Sequence, residues 1–110
     1  MIYSENQLIN LAKTNTKELI KILSNPSTNI RTLVDGIEIL GLEATEESVV
    51  LPAFLLLLKH QHASVREAAC VGILTFYERR ILPEELSDRL AKMSVSDPSE
   101  NIRNYIKTIL

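Results

Sequence analysis

The chain has 110 residues, 45% of them hydrophobic, which suffices for one domain with a modest core. It contains three glycines and four prolines, and this small number of turn-forming residues disfavours an all-β fold. The net charge of −2 and the isoelectric point near 5.7 argue against nucleic-acid binding, because such proteins neutralise phosphates with an excess of basic residues.

Secretion and membrane insertion are also disfavoured. The N-terminus lacks the basic start and apolar run of a signal peptide. The longest apolar run, residues 49–58, is about half as long as a membrane span. The single cysteine, Cys70, excludes an internal disulfide and fits a reducing compartment. We therefore expect a cytoplasmic protein.

The sequence predicts seven helices and no strands. Ser4 and Gln7 have the spacing of a capping box at the first helix, and Asn15 is placed to cap the second. Asn25 and Asp97 each precede a proline, so we expect them to cap the third and seventh helices, with the proline as first helical residue. The predicted helices span about residues 4–12, 15–24, 26–42, 46–59, 63–79, 83–96 and 98–110.

A short segment occurs three times at a nearly constant interval. Each copy has a polar turn-forming residue, four loop residues, a β-branched aliphatic residue and an arginine. The copies are Asn25–Arg31, His60–Arg66 and Asp97–Arg103. A period of this length indicates helical hairpins that bury their apolar faces against one another. The expected fold is all-α, a short α-solenoid of about three hairpins in one domain (residues 1–110), with units at 15–42, 46–80 and 83–110 after a short N-terminal helix.

The central unit resembles a HEAT repeat. In that family the first helix carries a proline, and the second opens with Val-Arg and continues with small alanines. Pro52, Val65-Arg66 and Ala68-Ala69 occupy these positions. The resemblance extends to residues 15–110, where the hairpins are expected to be HEAT-like, and it implies a solenoid that binds other macromolecules.

The outer units depart from the family pattern. Lys17 and Arg89 stand where the central unit has its proline, and bulkier residues replace the alanines. HEAT turns commonly carry an Asp that pairs with arginines of its own or an adjacent unit. Of the three residues at that position, Asn25, His60 and Asp97, the last alone is a carboxylate. A continuous Asp–Arg ladder is therefore not expected.

Catalytic and metal-binding constellations are not expected. His60 and His62 could begin a metal site, but Cys70 lies roughly 12 Å further along a helix at 1.5 Å per residue, too far to be a third ligand. Cys70 also has no base to activate it. The pairs Glu46-Glu47 and Glu84-Glu85 lie at helix starts, where negative charge is stabilising. We predict no enzyme activity, no metal and no cofactor.

Arg31, Arg66 and Arg103 recur one unit apart and are predicted to form a row along one edge. Such a row could bind an acidic or phosphate ligand. The favoured interpretation is structural, in which the arginines bridge neighbouring units through turn carbonyls and Asp97.

The second helices offer the better binding site. In the central unit the small residues share one side, so the opposite side should face outward. An offset of 35 residues places Ile39 beside Leu74 on this side, with carboxylates around them. Such a patch is typical of a partner-binding face. The predicted partner-binding residues are Asp35, Ile39, Glu43, Glu67, Cys70, Val71, Leu74, Glu78 and Lys107.

These features predict a non-catalytic module that binds another protein with a basic surface, as an adaptor or regulatory scaffold. The alternative is a small acidic inhibitor, for example an immunity protein that masks a basic toxin or nuclease. A HEAT-like DNA-processing enzyme is disfavoured by the net charge and the absence of tryptophan. No nucleic acid or membrane partner is expected, and a monomer is favoured.

Overall fold

The computed structural model describes residues 3–110, and within them it contains seven α-helices and no strand. The helices are α1 (Glu5–Thr14), α2 (Thr16–Ser24), α3 (Ile30–Glu43), α4 (Glu47–Leu57), α5 (Ala63–Phe76), α6 (Glu84–Ser96) and α7 (Glu100–Ile109). The predicted all-α fold and the number of helices are confirmed. No helix of this part of the chain is long and apolar enough to cross a membrane.

The first two helix starts follow the sequence pattern. The Ser4 hydroxyl accepts from the Gln7 backbone N–H at 3.2 Å, and the Gln7 side chain accepts from the Ser4 N–H at 2.8 Å. This is a reciprocal capping box. Asn15 accepts from the Glu18 N–H and so caps α2.

The starts predicted for α3 and α7 were wrong. Helix α3 begins at Ile30 with Asn29 as its N-cap, and α7 begins at Glu100 with Ser99 as its N-cap. The reason lies in Asn25 and Asp97, whose side chains each accept the backbone N–H two residues further on. This local bond closes a turn and competes with helix formation, so the capping role passes to a later residue.

The helices pack as three successive hairpins. In each of the pairs α2–α3, α4–α5 and α6–α7 the two helices contact each other. The second helices α3, α5 and α7 also contact one another in order, and α1 packs against α3 at the N-terminal end of this row. The result is a short helical solenoid, as predicted, with extents of 35 × 27 × 18 Å.

The crossing of α3 and α5 is a backbone-to-backbone contact between two glycines. A Cβ atom placed on Gly41 would lie 2.6 Å from the Cα of Gly72. A Cβ atom on Gly72 would lie 3.0 Å from both the Ile37 carbonyl oxygen and a ring carbon of Phe54. Neither position therefore has room for a side chain without a shift of the helices. Ile37, Phe54 and Ile73 are fully buried in the core around this contact.

We predict that Gly41→Ala lowers the free energy of unfolding by about 1–2 kcal/mol. Alanine gains roughly 1 kcal/mol of helix propensity. Because the clashing atoms belong to backbone that cannot move away, the cost of overpacking lies in the upper part of the usual range of about 1–3 kcal/mol and exceeds this gain. Urea unfolding followed by circular dichroism measures the difference.

Gly36→Ala is the matched control for this substitution. It lies on the same helix, but the atom closest to its added Cβ is the end of the flexible Leu23 side chain, at 2.6 Å. Since that side chain can rotate, the expected change is less than about 1 kcal/mol. A Gly41→Ala protein as stable as the parent would show that the two helices do not meet at this point.

Candidate partner-binding face

The second helices α3 and α5 expose two stripes of the same spacing, i, i+4, i+7 and i+11, which is one side of a helix. The stripe on α3 is Arg31, Asp35, Glu38 and Leu42. That on α5 is Glu67, Val71 and Leu74, and Glu78 continues it in the turn that follows the helix. All are exposed except Val71, which is half-buried. Together with the half-buried Tyr105 of α7, they are called the acidic face below.

Charged side chains of the acidic face influence one another across helices. Burial, together with the carboxylates of Asp35 and Glu67, raises the pKa of Glu38. Burial raises the pKa of Tyr105 as well, with contributions from groups that include Glu67 and Glu38. Charges on α3 and α5 therefore lie within electrostatic reach of each other and of α7.

The negative charge of this face is mostly uncompensated. Asp35 pairs with Arg31 at 3.9 Å, but the two side chains are 52% and 93% exposed, so this contact is weak. Within residues 3–110, Glu38, Glu67 and Glu78 make no ion pair within 4.0 Å. Three free carboxylates thus remain available to a cationic partner.

Two leucines supply apolar area on the acidic face. Leu42 is 67% exposed and Leu74 is 41% exposed. Between α1 and α3 the face continues into an open groove of about 350 Å³, which Leu42 lines together with Glu5 and Glu38. Exposed leucines beside free carboxylates are the arrangement expected of a surface that another protein covers.

The structure corrects part of the predicted set. Ile39 is 8% exposed and Cys70 is fully buried, so neither lies on the outward side. Ile39 belongs to the hydrophobic core, on the helix against which α1 packs. Glu43 is half-buried, and its carboxylate pairs with Lys13 of α1 at 3.6 Å. The other predicted members that lie exposed or half-buried are Asp35, Glu67, Val71, Leu74, Glu78 and Lys107.

A register error explains which residues were missed. The exposed stripes of α3 and α5 are 36 residues apart (67 − 31), whereas the prediction used 35. One residue is a rotation of about 100° around a helix, so an offset of 35 selects Ile39 and Glu43 where the structure exposes Glu38 and Leu42. Tyr105 is missed because the repeat pattern aligns it with the small alanines Ala68-Ala69, on the side predicted to pack against neighbouring helices.

The groups considered for chemistry do not form a reactive site. Burial raises the pKa of the Cys70 thiol to about 12, with smaller contributions from Asp97 and Glu67, so the thiol stays protonated. Among residues 3–110, no three His, Cys, Asp or Glu side chains are grouped closely enough to hold a metal ion. Glu47 lies in the first turn of α4, and Glu84 and Glu85 lie in that of α6, where they face the helix dipole.

The three arginines do not make equivalent contacts. Arg66 donates from Nε and Nη2 to the Asp97 carboxylate at 3.0 and 3.1 Å, and from Nη1 to the carbonyls of His60 and Gln61. Arg103 donates from Nη1 to the Asp97 carbonyl oxygen. Arg31 instead pairs with Asp35 on the acidic face. With His60 at the turn position, no carboxylate is available there to accept from Arg31.

Asp97 is the centre of the contact between the second and third hairpins. Burial alone would raise its pKa. The hydrogen bonds from Arg66 and from the Ser99 N–H, with the charges of Arg66 and Arg103, outweigh burial and hold the pKa of Asp97 below its usual value of 3.8. The carboxylate is therefore ionised and paired at neutral pH.

Comparison with known families matches the central hairpin. The HEAT-repeat model matches residues 50–79, which include most of α4 and all of α5. The matched segment, residues 50–79, is similar to a HEAT repeat. No curated protein and no solved structure matches the chain. HEAT repeats are helical scaffolds for protein interaction and are generally non-catalytic, and the resemblance predicted from Pro52 and Val65-Arg66 is confirmed.

We predict that Asp97→Ala lowers the free energy of unfolding by about 2–4 kcal/mol, because it leaves the mostly buried Arg66 guanidinium without its anion. The depressed pKa stabilises the folded state above pH 3.8, and this stability is lost as pH falls below 3.8 toward the folded pKa. Asp97→Asn should therefore flatten the acid limb of a stability-against-pH curve measured by urea unfolding.

Asp35→Ala is the control, since it removes an exposed ion pair with Arg31 on the same protein. Its expected cost is below about 1 kcal/mol. Equal costs for Asp97→Ala and Asp35→Ala would contradict a structural role for the Arg66–Asp97 pair.

Proposed function

We propose that this chain is a non-catalytic protein-binding module, an adaptor or regulatory scaffold, that uses the acidic face to bind a protein with a basic surface. The observation that carries the proposal is the combination of three free carboxylates with two exposed leucines on the acidic face. We further propose that the units at 15–42, 46–80 and 83–110 act as one monomeric domain in the cytoplasm, without cofactor or metal.

The two kinds of group have different roles in this binding. Covering the exposed parts of Leu42 and Leu74 contributes roughly 2–3 kcal/mol at about 1.5–3 kcal/mol for a fully exposed side chain. The carboxylates of Glu38, Glu67 and Glu78 contribute mainly to orientation and to the association rate, because exposed charges are screened by salt.

A second function, a small acidic inhibitor such as an immunity protein that masks a basic toxin or nuclease, is supported by the same uncompensated charge. The two functions differ in kinetics. An inhibitor binds one basic partner tightly and associates rapidly at low salt, whereas an adaptor binds with moderate affinity. Affinity capture from the native host, followed by mass spectrometry, identifies the partner. Its affinity and association rate then distinguish the adaptor from the inhibitor.

We predict that Leu74→Arg weakens binding of that partner about tenfold or more while the protein stays folded, because the side chain is on the surface. Isothermal titration calorimetry measures the affinity, and circular dichroism checks the fold. Val95→Arg is the matched control, an equally large change at a 78% exposed aliphatic residue on α6. Parental affinity for Leu74→Arg, or an equal loss for Val95→Arg, would show that the partner does not bind the acidic face.

We predict that the double substitution Glu67→Lys and Glu78→Lys mainly slows association and reduces its dependence on salt, since it reverses two charges that attract the partner. Stopped-flow or surface plasmon resonance measurements at several salt concentrations give the rates. The control is Glu84→Lys with Glu85→Lys at the start of α6, which changes net charge by the same amount elsewhere. If both double variants slow association equally, net charge and not the acidic face steers the partner.

A further inference from the structure

The three hairpin turns contain the same hydrogen bond, made by three different side chains. In each turn a side-chain atom accepts the backbone N–H two residues further on. Asn25 Oδ1 accepts from Ser27 at 2.9 Å, His60 Nδ1 accepts from His62 at 3.0 Å, and Asp97 Oδ1 accepts from Ser99 at 2.9 Å. The residues are the first of each repeated segment, so this bond is a recurring part of the turn.

Of these three acceptors, the imidazole nitrogen of His60 is the one that can lose its ability to accept a hydrogen bond near neutral pH. An amide oxygen such as that of Asn25 gains no proton in this range, and the pKa of Asp97 lies below 3.8. The Nδ1 atom of His60 accepts a hydrogen bond when it is unprotonated and becomes a donor in the imidazolium. Protonation therefore places two donors, His60 Nδ1–H and the His62 backbone N–H, opposite each other, and the hydrogen bond between them is lost.

The second turn is also connected to the third turn through one arginine. The carbonyl oxygens of His60 and Gln61 accept from Arg66 Nη1 at 2.9 and 3.0 Å. The Nε and Nη2 atoms of the same guanidinium donate to the Asp97 carboxylate. A change in the backbone of the second turn thus acts on the group that joins the second hairpin to the third.

We propose that the second turn is a pH-sensitive joint, in which protonation of His60 releases the His62 amide and loosens the contact of Arg66 with the turn and with Asp97. The joint operates as pH falls below about 6.5, the ordinary pKa of an imidazole. It is independent of the acidic face, which lies on the outer sides of α3 and α5.

The charges around His60 favour the neutral imidazole. Burial, then His62 and Arg66, lower the pKa of His60 below 6.5. Lys59 precedes it in the same turn. Across the groove of about 630 Å³ that separates this turn from α2 and the turn at 25–29, the lining side chains carry no charge. Asp97, the acid of the third turn, is already paired with Arg66.

The sign of the effect on stability follows from this lowered pKa. In the pH range below 6.5 the unfolded chain binds more protons at position 60 than the folded chain. Stability from this turn is therefore complete above pH 6.5 and decreases as pH falls through the window between the unfolded and folded pKa values.

Nuclear magnetic resonance titration of the whole chain from pH 8 to pH 5 tests the proposal. The backbone amide of His62 should change its chemical shift with the midpoint of the His60 imidazole, below 6.5, and the Arg66 Nε–H signal should follow the same midpoint. The amides of Ser27 and Ser99 are internal controls, because their acceptors do not titrate in this range.

His60→Asn is the decisive variant, since Asn supplies the same bond in the first turn and does not titrate. It should keep the His62 amide shift constant with pH and remove the stability loss below pH 6.5, while leaving stability at pH 8 near that of the parent. His62→Asn should keep both effects. The proposal is overturned if His60 titrates at 6.5 or above, if the His62 amide does not follow it, or if His60→Asn retains the pH-dependent loss.

Discussion

The contact between Gly41 and Gly72 is the constraint on which the rest of this small solenoid depends. With no side chain at either position, α3 and α5 approach until their backbones touch, and the buried Ile37, Phe54 and Ile73 pack around the crossing. This packing brings the outer sides of both helices onto one surface. The acidic residues of the two helices therefore lie side by side on the acidic face.

The two junctions between hairpins are stabilised by different interactions. The first depends on apolar packing and backbone contact between α3 and α5, whereas the second adds the ion pair of Arg66 and Asp97, which is shielded from solvent. The difference is caused by the first residue of each turn segment. Asp97 can accept from the arginine of the preceding unit, but His60 cannot, and Arg31 consequently lies exposed beside Asp35.

The first residue of each turn segment also explains why the second turn, with His60, differs chemically from the other two. All three turns need an acceptor for the N–H two residues on, and amide, imidazole and carboxylate can each supply it. The geometry is thus preserved while the response to pH is not. Arg66 contacts both the second and the third turn. Protonation of His60 can therefore act, through Arg66, on the junction between the second and third hairpins.

The sequence alone was sufficient for the helices, their order and the HEAT-type hairpin, because helix signals and repeat spacing are local properties of the chain. It was insufficient for the starts of α3 and α7, where the Asn25 and Asp97 side chains compete for backbone N–H groups. It was also insufficient for the outward residues Glu38 and Leu42. Exposure depends on how helices of different hairpins rotate against each other and on where α1 packs, and a one-residue difference in register moves a side chain about 100° around the helix. That rotation is decided by the close packing at the glycines, which is a property of the tertiary structure.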